Sequence, residues 1–238
     1  MSEMNPYSKL QIHVRDIARV RSLRFAFYRF LYIINRRIKV PNVVFLADSF
    51  DLDEFALQKF LNPLKNLVVV DVGAKVGLWS KKFAIRGTKV HAFEPNPEAF
   101  AFLKRNTRKF DNVIAYPCAL GNENGINDFF VHKRPGYSSF VTKYADHIKT
   151  IKVPVRTLDS FNFETVDLIK IDTEGYELPV LRGGRETIRR ERPQLYIEIH
   201  NQGQKNLIFK LLQEFGYTYS IHHLRNRPQP IIITDLED

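Results

Sequence analysis

"NLVVVDVGAKVGLWS", residues Asn66 to Ser80, decides how the rest of the chain is read. Its first half is a continuous apolar run rich in valine, the pattern of a strand buried on both faces of a parallel sheet. Its middle, Gly73-Ala74-Lys75-Val76-Gly77, is a turn with glycine at each end, and its last residues open a helix. Strand, glycine turn and helix form the unit from which doubly wound α/β sheets are built. Such sheets bind their ligands at the carboxyl ends of the strands.

Outward from that stretch, strands and helices alternate. "LWSKKFAIRG" reads as a helix, "TKVHAFEP" as a strand, "PEAFAFLKRNTRKF" as a helix and "NVIAYPCAL" as a strand. "GNENG" is a turn before the strand "INDFFVH", and "TIKVPVRTLDSF" holds another strand. "VDLIKID" is a strand, "YELPVLRGGRETIRR" is helical after its start, and "QLYIEIH" is a strand. "QKNLIFKLLQEFG" is a helix, and "YTYSIHH" and "PIIIT" form a final strand pair. This alternation predicts a doubly wound, mostly parallel sheet. No internal repeat or low-complexity tract interrupts it.

Upstream, residues 1–65 form a separate N-terminal helical segment, and residues 66–238 form the α/β domain. Residues 10–39 read as helix, with Ile17, Val20, Leu23, Phe27, Phe30, Leu31 and Ile34 on one stripe. "FDLDEFALQKFLNP" reads as a second, short helix. Between Lys9 and Lys39 nine Lys or Arg face a single acid, Asp16, so this stretch alone has a balance of +8 in a chain of net charge +10. The bland reading of 10–39 is a cover for the domain with a solvated basic face. The alternatives are peripheral contact with an anionic membrane or with a partner. The single cysteine, Cys118, excludes an internal disulfide framework and fits a cytoplasmic setting. The polar residues from Met1 to Leu10 do not resemble a secretory signal, and no run is apolar enough to span a bilayer.

The glycine turn discriminates between ligands. Dinucleotides favour G-x-G-x-x-G, whereas this turn is G-x-x-x-G with an acid, Asp71, two residues before it. An acid aimed at the site suits a cationic ligand better than a pyrophosphate. S-adenosylmethionine carries an amino group, a sulfonium and no phosphate. Glu94 ends the next strand, 23 residues after Asp71, where a carboxylate can accept both ribose hydroxyls. Helix capping or a surface salt bridge would explain either acid alone; together they indicate a nucleoside site.

Four segments carry a resemblance to a known family: "VVDVGAKVGLWS", "HAFEPNPEAF", "TLDSFNFETVDLIKIDTEGYELPVLRGG" and "PQLYIEIH", with weaker support from "CALGNENG" and "GYSSF". The chain resembles the FkbM family of S-adenosylmethionine-dependent methyltransferases over roughly Asn66 to His200. The resemblance implies a Rossmann-like class I methyltransferase fold, a seven-stranded mostly parallel sheet whose last strand is antiparallel. It also implies methyl transfer, usually to a hydroxyl oxygen of a small molecule or glycan. By the same resemblance Asp71, Gly73, Ala74 and Gly77 line the methionine end of the cofactor, and Glu94 with Pro95 takes the ribose. Cys118, Ala119 and Leu120 lie by the adenine, Asp172 also belongs to the cofactor site, and Asp172 and Glu174 face the reacting centre. Lys75 departs from the family, which commonly has asparagine there; its ammonium would point outward or meet the cofactor carboxylate.

A hydroxyl nucleophile needs a positioned base. Asp172, Glu174 and His200 end strands at the ligand edge and are the catalytic candidates. Helix capping is the competing explanation for the two acids, and a loop hydrogen bond for the histidine. Glu198 shares a strand face with His200 if the strand persists that far. A magnesium site on Asp172, Glu174 and His200 is conceivable, but proximity of such groups does not argue one, so no metal is expected. Tyr137, Ser138 and Ser139 sit in a loop long enough to reach over a substrate. Two other functions compete. An RNA methyltransferase would suit the basic charge, but no stacking module or nucleic-acid motif is visible, so nucleic acid is disfavoured as a partner. A non-catalytic protein docking through its basic helix would not need Asp71, Glu94 and Asp172 intact.

Overall fold

A computed structural model describes residues 67–132, 138–140, 147–223 and 230–235. The helices expected over 10–39 and 50–63, and with them the whole 1–65 segment, lie outside the described residues, as does Tyr137.

Ten strands and five α-helices are described. The strands are β1 (Val68–Val72), β2 (Lys89–Phe93), β3 (Val113–Tyr116), β4 (Ala119–Leu120), β5 (Gly125–His132), β6 (His147–Arg156), β7 (Leu168–Ile171), β8 (Gln194–Glu198), β9 (Thr218–His223) and β10 (Pro230–Asp235). The helices are α1 (Leu78–Ile85), α2 (Pro97–Thr107), α3 (Glu177–Gly183), α4 (Arg185–Glu191) and α5 (Lys205–Glu214). Seven strands form the main sheet in the order β3-β2-β1-β7-β8-β10-β9. β10 runs antiparallel to both neighbours, and the β3-β2-β1-β7-β8 pairings are all parallel. This is the doubly wound class I sheet that the sequence predicts. The chain leaves β1 toward β2 on one side and returns to β7 on the other. The order therefore reverses between β1 and β7, and their carboxyl ends make the crevice where such folds place a ligand.

The apolar runs become the centre of the sheet because both faces are covered. Every residue of β7 is buried, and Ile169, Ile171, Leu195 and Ile197 have no measurable exposure. Each such side chain contributes about 1.5–3 kcal/mol relative to leaving it in water. Helix α5 buries Ile208, Leu211 and Leu212, a three-and-four spacing that gives it one apolar stripe. Asn96 caps α2 by accepting from the N–H groups of Glu98 and Ala99 at 3.0 and 3.4 Å, with Pro97 at the first helical position. No helix among the described residues is long and apolar enough to cross a membrane.

One strand and one helix differ from the sequence reading. "NVIAYPCAL" is not one strand. It breaks at Pro117, which has no N–H to donate, and Ala119–Leu120 joins β6 and β5 in a separate three-stranded sheet. "YELPVLRGGRETIRR" is two helices, divided at Gly184.

Candidate functional site

Four turns converge at the carboxyl end of the main sheet, after β1, β2, β7 and β8. In the first, the N–H groups of Gly73 and Ala74 both donate to the Phe93 carbonyl, at 3.1 and 3.0 Å, which pins it to the end of β2. Gly73 has φ +75, and a Cβ there would sit 1.9 Å from the carbonyl oxygen of Asp172. The turns after β1 and β7 are thus pressed together at the point where strand order reverses, and only glycine fits. At Gly77, φ +82, a Cβ would meet Leu103 at 2.6 Å, so this glycine lets α1 start against α2.

Glu94 lies just beyond β2 and is buried. Its Oε2 accepts from the Lys75 N–H and its Oε1 from the Asn96 N–H, each at 2.8 Å. A carboxylate offers about four lone-pair positions, so two remain for a diol. Burial pushes the Glu94 carboxyl up to about 7, and the two N–H donors with the charges of Lys75 and Lys170 only partly offset this. Pro95, next to it, is half-buried.

Asp71 takes a place that the sequence does not suggest. Its carboxylate has no exposure, accepts from Ser80 Oγ at 2.7 Å and pairs with the buried Lys170 ammonium at 3.1 Å. Lys170 also reaches the Gly73 carbonyl at 3.4 Å and Asp172 at 3.7 Å. Asp71 therefore holds the base of the turn through Lys170, with its carboxylate buried beneath the turn. The physical reason is the register Asp71↔Lys170 between β1 and β7, which sets the two groups side by side on one face of the sheet. Cys118, Ala119 and Leu120 are buried where β4 meets the second sheet, with Cys118 and Leu120 in the core. Burial pushes the Cys118 thiol up to about 11, so it stays protonated.

Asp172, Glu174 and His200 come together. One donor atom from each lies within 4.8 Å of the other two. β8 ends at Glu198, two residues before His200, yet the histidine still returns to Glu198. His200 Nε2 is 3.3 Å from Glu174 Oε2, 3.3 Å from Glu198 Oε1 and 3.8 Å from Asp172 Oδ1, while Nδ1 is 3.3 Å from Glu177 Oε1. Desolvation works to lower its pKa, but hydrogen bonds to Glu177 and Glu198 and the charges of Glu174 and Asp172 outweigh it and raise the ring to about 11. The surrounding acids therefore favour the charged form of the ring. The ring is placed among the acids at distances from which it can orient them. Burial pushes the Glu174 carboxyl up, against the pull of Lys75 and His200, which favours it as a proton acceptor.

The Lys75 side chain turns toward the acids of the site. Its ammonium lies 3.0 Å from Glu174 Oε1 and 3.4 Å from Asp172 Oδ2. Desolvation would lower its pKa, and Asp172, Glu174 and Glu198 override that, so the group stays charged above the usual lysine range. Ser139 Oγ donates to the Glu174 carbonyl at 2.7 Å, and the Phe140 ring lies 4.5 Å from that of Tyr176, so this part of the expected substrate loop reaches the centre. Sequence reasoning missed Lys170 and Glu177. Both are buried charges, Lys170 inside an apolar strand and Glu177 at the start of α3, where its Oε1 accepts from the Gly175 N–H at 2.7 Å. A lysine in the middle of "DLIKID" was the one available signal.

The site fits a nucleoside that carries positive charge. Gly73 lets the turns after β1 and β7 meet closely, Glu94 offers lone pairs to a diol, and carboxylates outnumber lysines around His200. Comparisons with known proteins agree with the fold. Residues 71–219 match the methyltransferase FkbM domain. The chain is 28% identical over 156 residues to the 2-O-methyltransferase NoeI of Sinorhizobium fredii, covering 57% of this chain and 64% of NoeI. It is 29% identical over 172 residues to the hexuronic acid methyltransferase AglP of Haloferax volcanii, covering 70% of this chain and 69% of AglP. Its fold is similar to the crystal structure of Methyltransferase FkbM from Methylobacillus flagellatus, with a TM-score of 0.55 at 20% identity over 71% of this chain and 44% of that one.

Proposed function

This chain belongs to the FkbM family of methyltransferases, and from that premise we propose that it transfers a methyl group from S-adenosylmethionine to a hydroxyl oxygen of a glycan or other small molecule. One juxtaposition carries the reading. A carboxylate suited to a ribose diol, Glu94, and a buried acid–histidine centre lie at the same sheet edge, joined through Lys75. The 2-O-methyl transfer of NoeI supports oxygen as the accepting atom, and the hexuronic acid of AglP supports a sugar acceptor.

S-adenosylmethionine supplies, when bound, a methyl group already activated by sulfonium. Glu94 would hold its ribose and the Gly73 turn its methionine end, with Ala74, Gly77 and Pro95 shaping the turns and the 118–120 backbone beside the adenine. Asp71, through Lys170, would keep the turn after β1 in place. The excess of carboxylates around His200 would offset a positive charge brought into a buried site. The chain's remaining task is the acceptor proton. Glu174 would take it as the hydroxyl oxygen bonds to carbon, and Asp172 would orient the hydroxyl. Imidazolium His200 and the Lys75 ammonium would fix both acids in position. The reaction is set in the cytoplasm in this reading.

Calorimetry with S-adenosylmethionine and S-adenosylhomocysteine, followed by labelled methyl transfer into a pool of glycans and small hydroxylated molecules, tests the proposal. Binding of both nucleosides and label in an alkali-stable ether would support it. Binding without transfer to any acceptor would favour a non-catalytic docking protein, and label in RNA would favour a nucleic-acid substrate.

A further inference from the structure

Lys75 and Glu174 share an uncommon backbone. Their φ angles are 51 and 54, so both are non-glycine residues in the left-handed region, and they sit in the facing turns after β1 and β7. Long charged side chains gain nothing from that conformation, so the surrounding contacts must hold the backbone there. The two side chains meet. The Lys75 ammonium is 3.0 Å from Glu174 and 3.4 Å from Asp172, while its N–H is fixed on Glu94 Oε2 at 2.8 Å.

Asp172, Glu174 and His200 form a set that could ligate a divalent cation: two carboxylates and an imidazole, with one donor atom each inside 4.8 Å. The Lys75 ammonium contacts two of the three. It is also the most exposed member, its side chain 39% accessible against 10% for Asp172 and 16% for Glu174, so it closes the cluster on its open side. We propose that Lys75 is a positioning residue of this centre, an in-chain cation that holds Asp172 and Glu174 where a divalent metal would otherwise hold them. The task of the cluster rests on the methyl-transfer reading; the occupancy of the cation position rests on geometry alone. The transferase then works without divalent metal, because the charge that organises its acids is covalently attached.

Manganese, followed by the loss of its free-ion spin-resonance signal, is the probe. The full-length wild type should bind no Mn²⁺ up to about 1 mM, the weak end of protein sites for such cations. Lys75→Asn, which accepts the left-handed backbone and so keeps the turn, should bind Mn²⁺ at least tenfold more tightly than the wild type. Lys75→Met provides a second opening of the site. Lys75→Arg should exclude the ion as the wild type does. Adding Glu174→Gln to Lys75→Asn should abolish the binding. Wild type that binds as tightly as Lys75→Asn overturns the proposal, and so do folded Lys75→Asn and Lys75→Met proteins that bind none. S-adenosylhomocysteine calorimetry on the same wild-type sample separates the two readings. Failure there removes the methyl-transfer reading and leaves the manganese result to decide the cation position.

Discussion

Glu94 offers the most exacting test of the site. Its carboxyl is 5% exposed, and burial raises it to about 7 even though two backbone N–H groups and two lysines favour its charged form. Ribose hydroxyls donate best to an ionised carboxylate. As pH falls below about 7, a growing share of Glu94 is neutral, and the affinity for S-adenosylhomocysteine should fall with it. Between about pH 8 and about pH 5.5 the ionised fraction drops from roughly 0.9 to roughly 0.03, so the dissociation constant should rise about 30-fold. Glu94→Ala should weaken binding at about pH 8 by about 1–3 kcal/mol, or about 5- to 150-fold, and should flatten the profile. Calorimetric titrations of both proteins across that range make the comparison. A flat wild-type profile, or an unchanged slope in Glu94→Ala, would refute the assignment. The ligand-free protein carries the same signature in its stability. The folded carboxyl keeps its proton up to about pH 7, while an unfolded one loses it near 4.5, so the folded state binds more protons between those values. Stability should therefore fall as pH rises through this window, by roughly 3.4 kcal/mol at most from Glu94. The part of the slope that vanishes in Glu94→Ala is that contribution.

Three further outcomes are expected. Lys170→Met leaves Asp71 buried without its cation and should cost about 3–5 kcal/mol in chemical denaturation, with nucleoside binding lost as the turn loosens. Gly73→Ala drives a Cβ into the Asp172 carbonyl and should destabilise the fold by at least about 1–3 kcal/mol, read as a lower midpoint in thermal unfolding. Once an acceptor is known, Glu174→Gln should lower kcat by about 100-fold or more and leave S-adenosylhomocysteine affinity nearly intact; equal losses in both would place Glu174 in cofactor binding instead.

Local chemistry made much of this protein legible in its sequence. A valine run needs burial on both faces, a glycine turn follows it, and the alternating periods leave a doubly wound sheet as the consistent arrangement. Those same rules put Glu94, Asp172, Glu174 and His200 at carboxyl ends of strands, hence on one edge of the sheet. What each group does there was decided only by tertiary structure, because the deciding contacts join residues far apart in the chain. Lys75 meets Glu174 across 99 positions, and Lys170 meets the Gly73 carbonyl across 97. Sheet register set Asp71 beside Lys170, a partner that its position in the sequence did not suggest. Four carboxylates packed around one imidazole favour its charged form, which its place after a strand could not show. A residue's type and its place on a strand follow from local steric and hydrophobic rules, but its charge state and its partner depend on which distant groups share its buried surroundings.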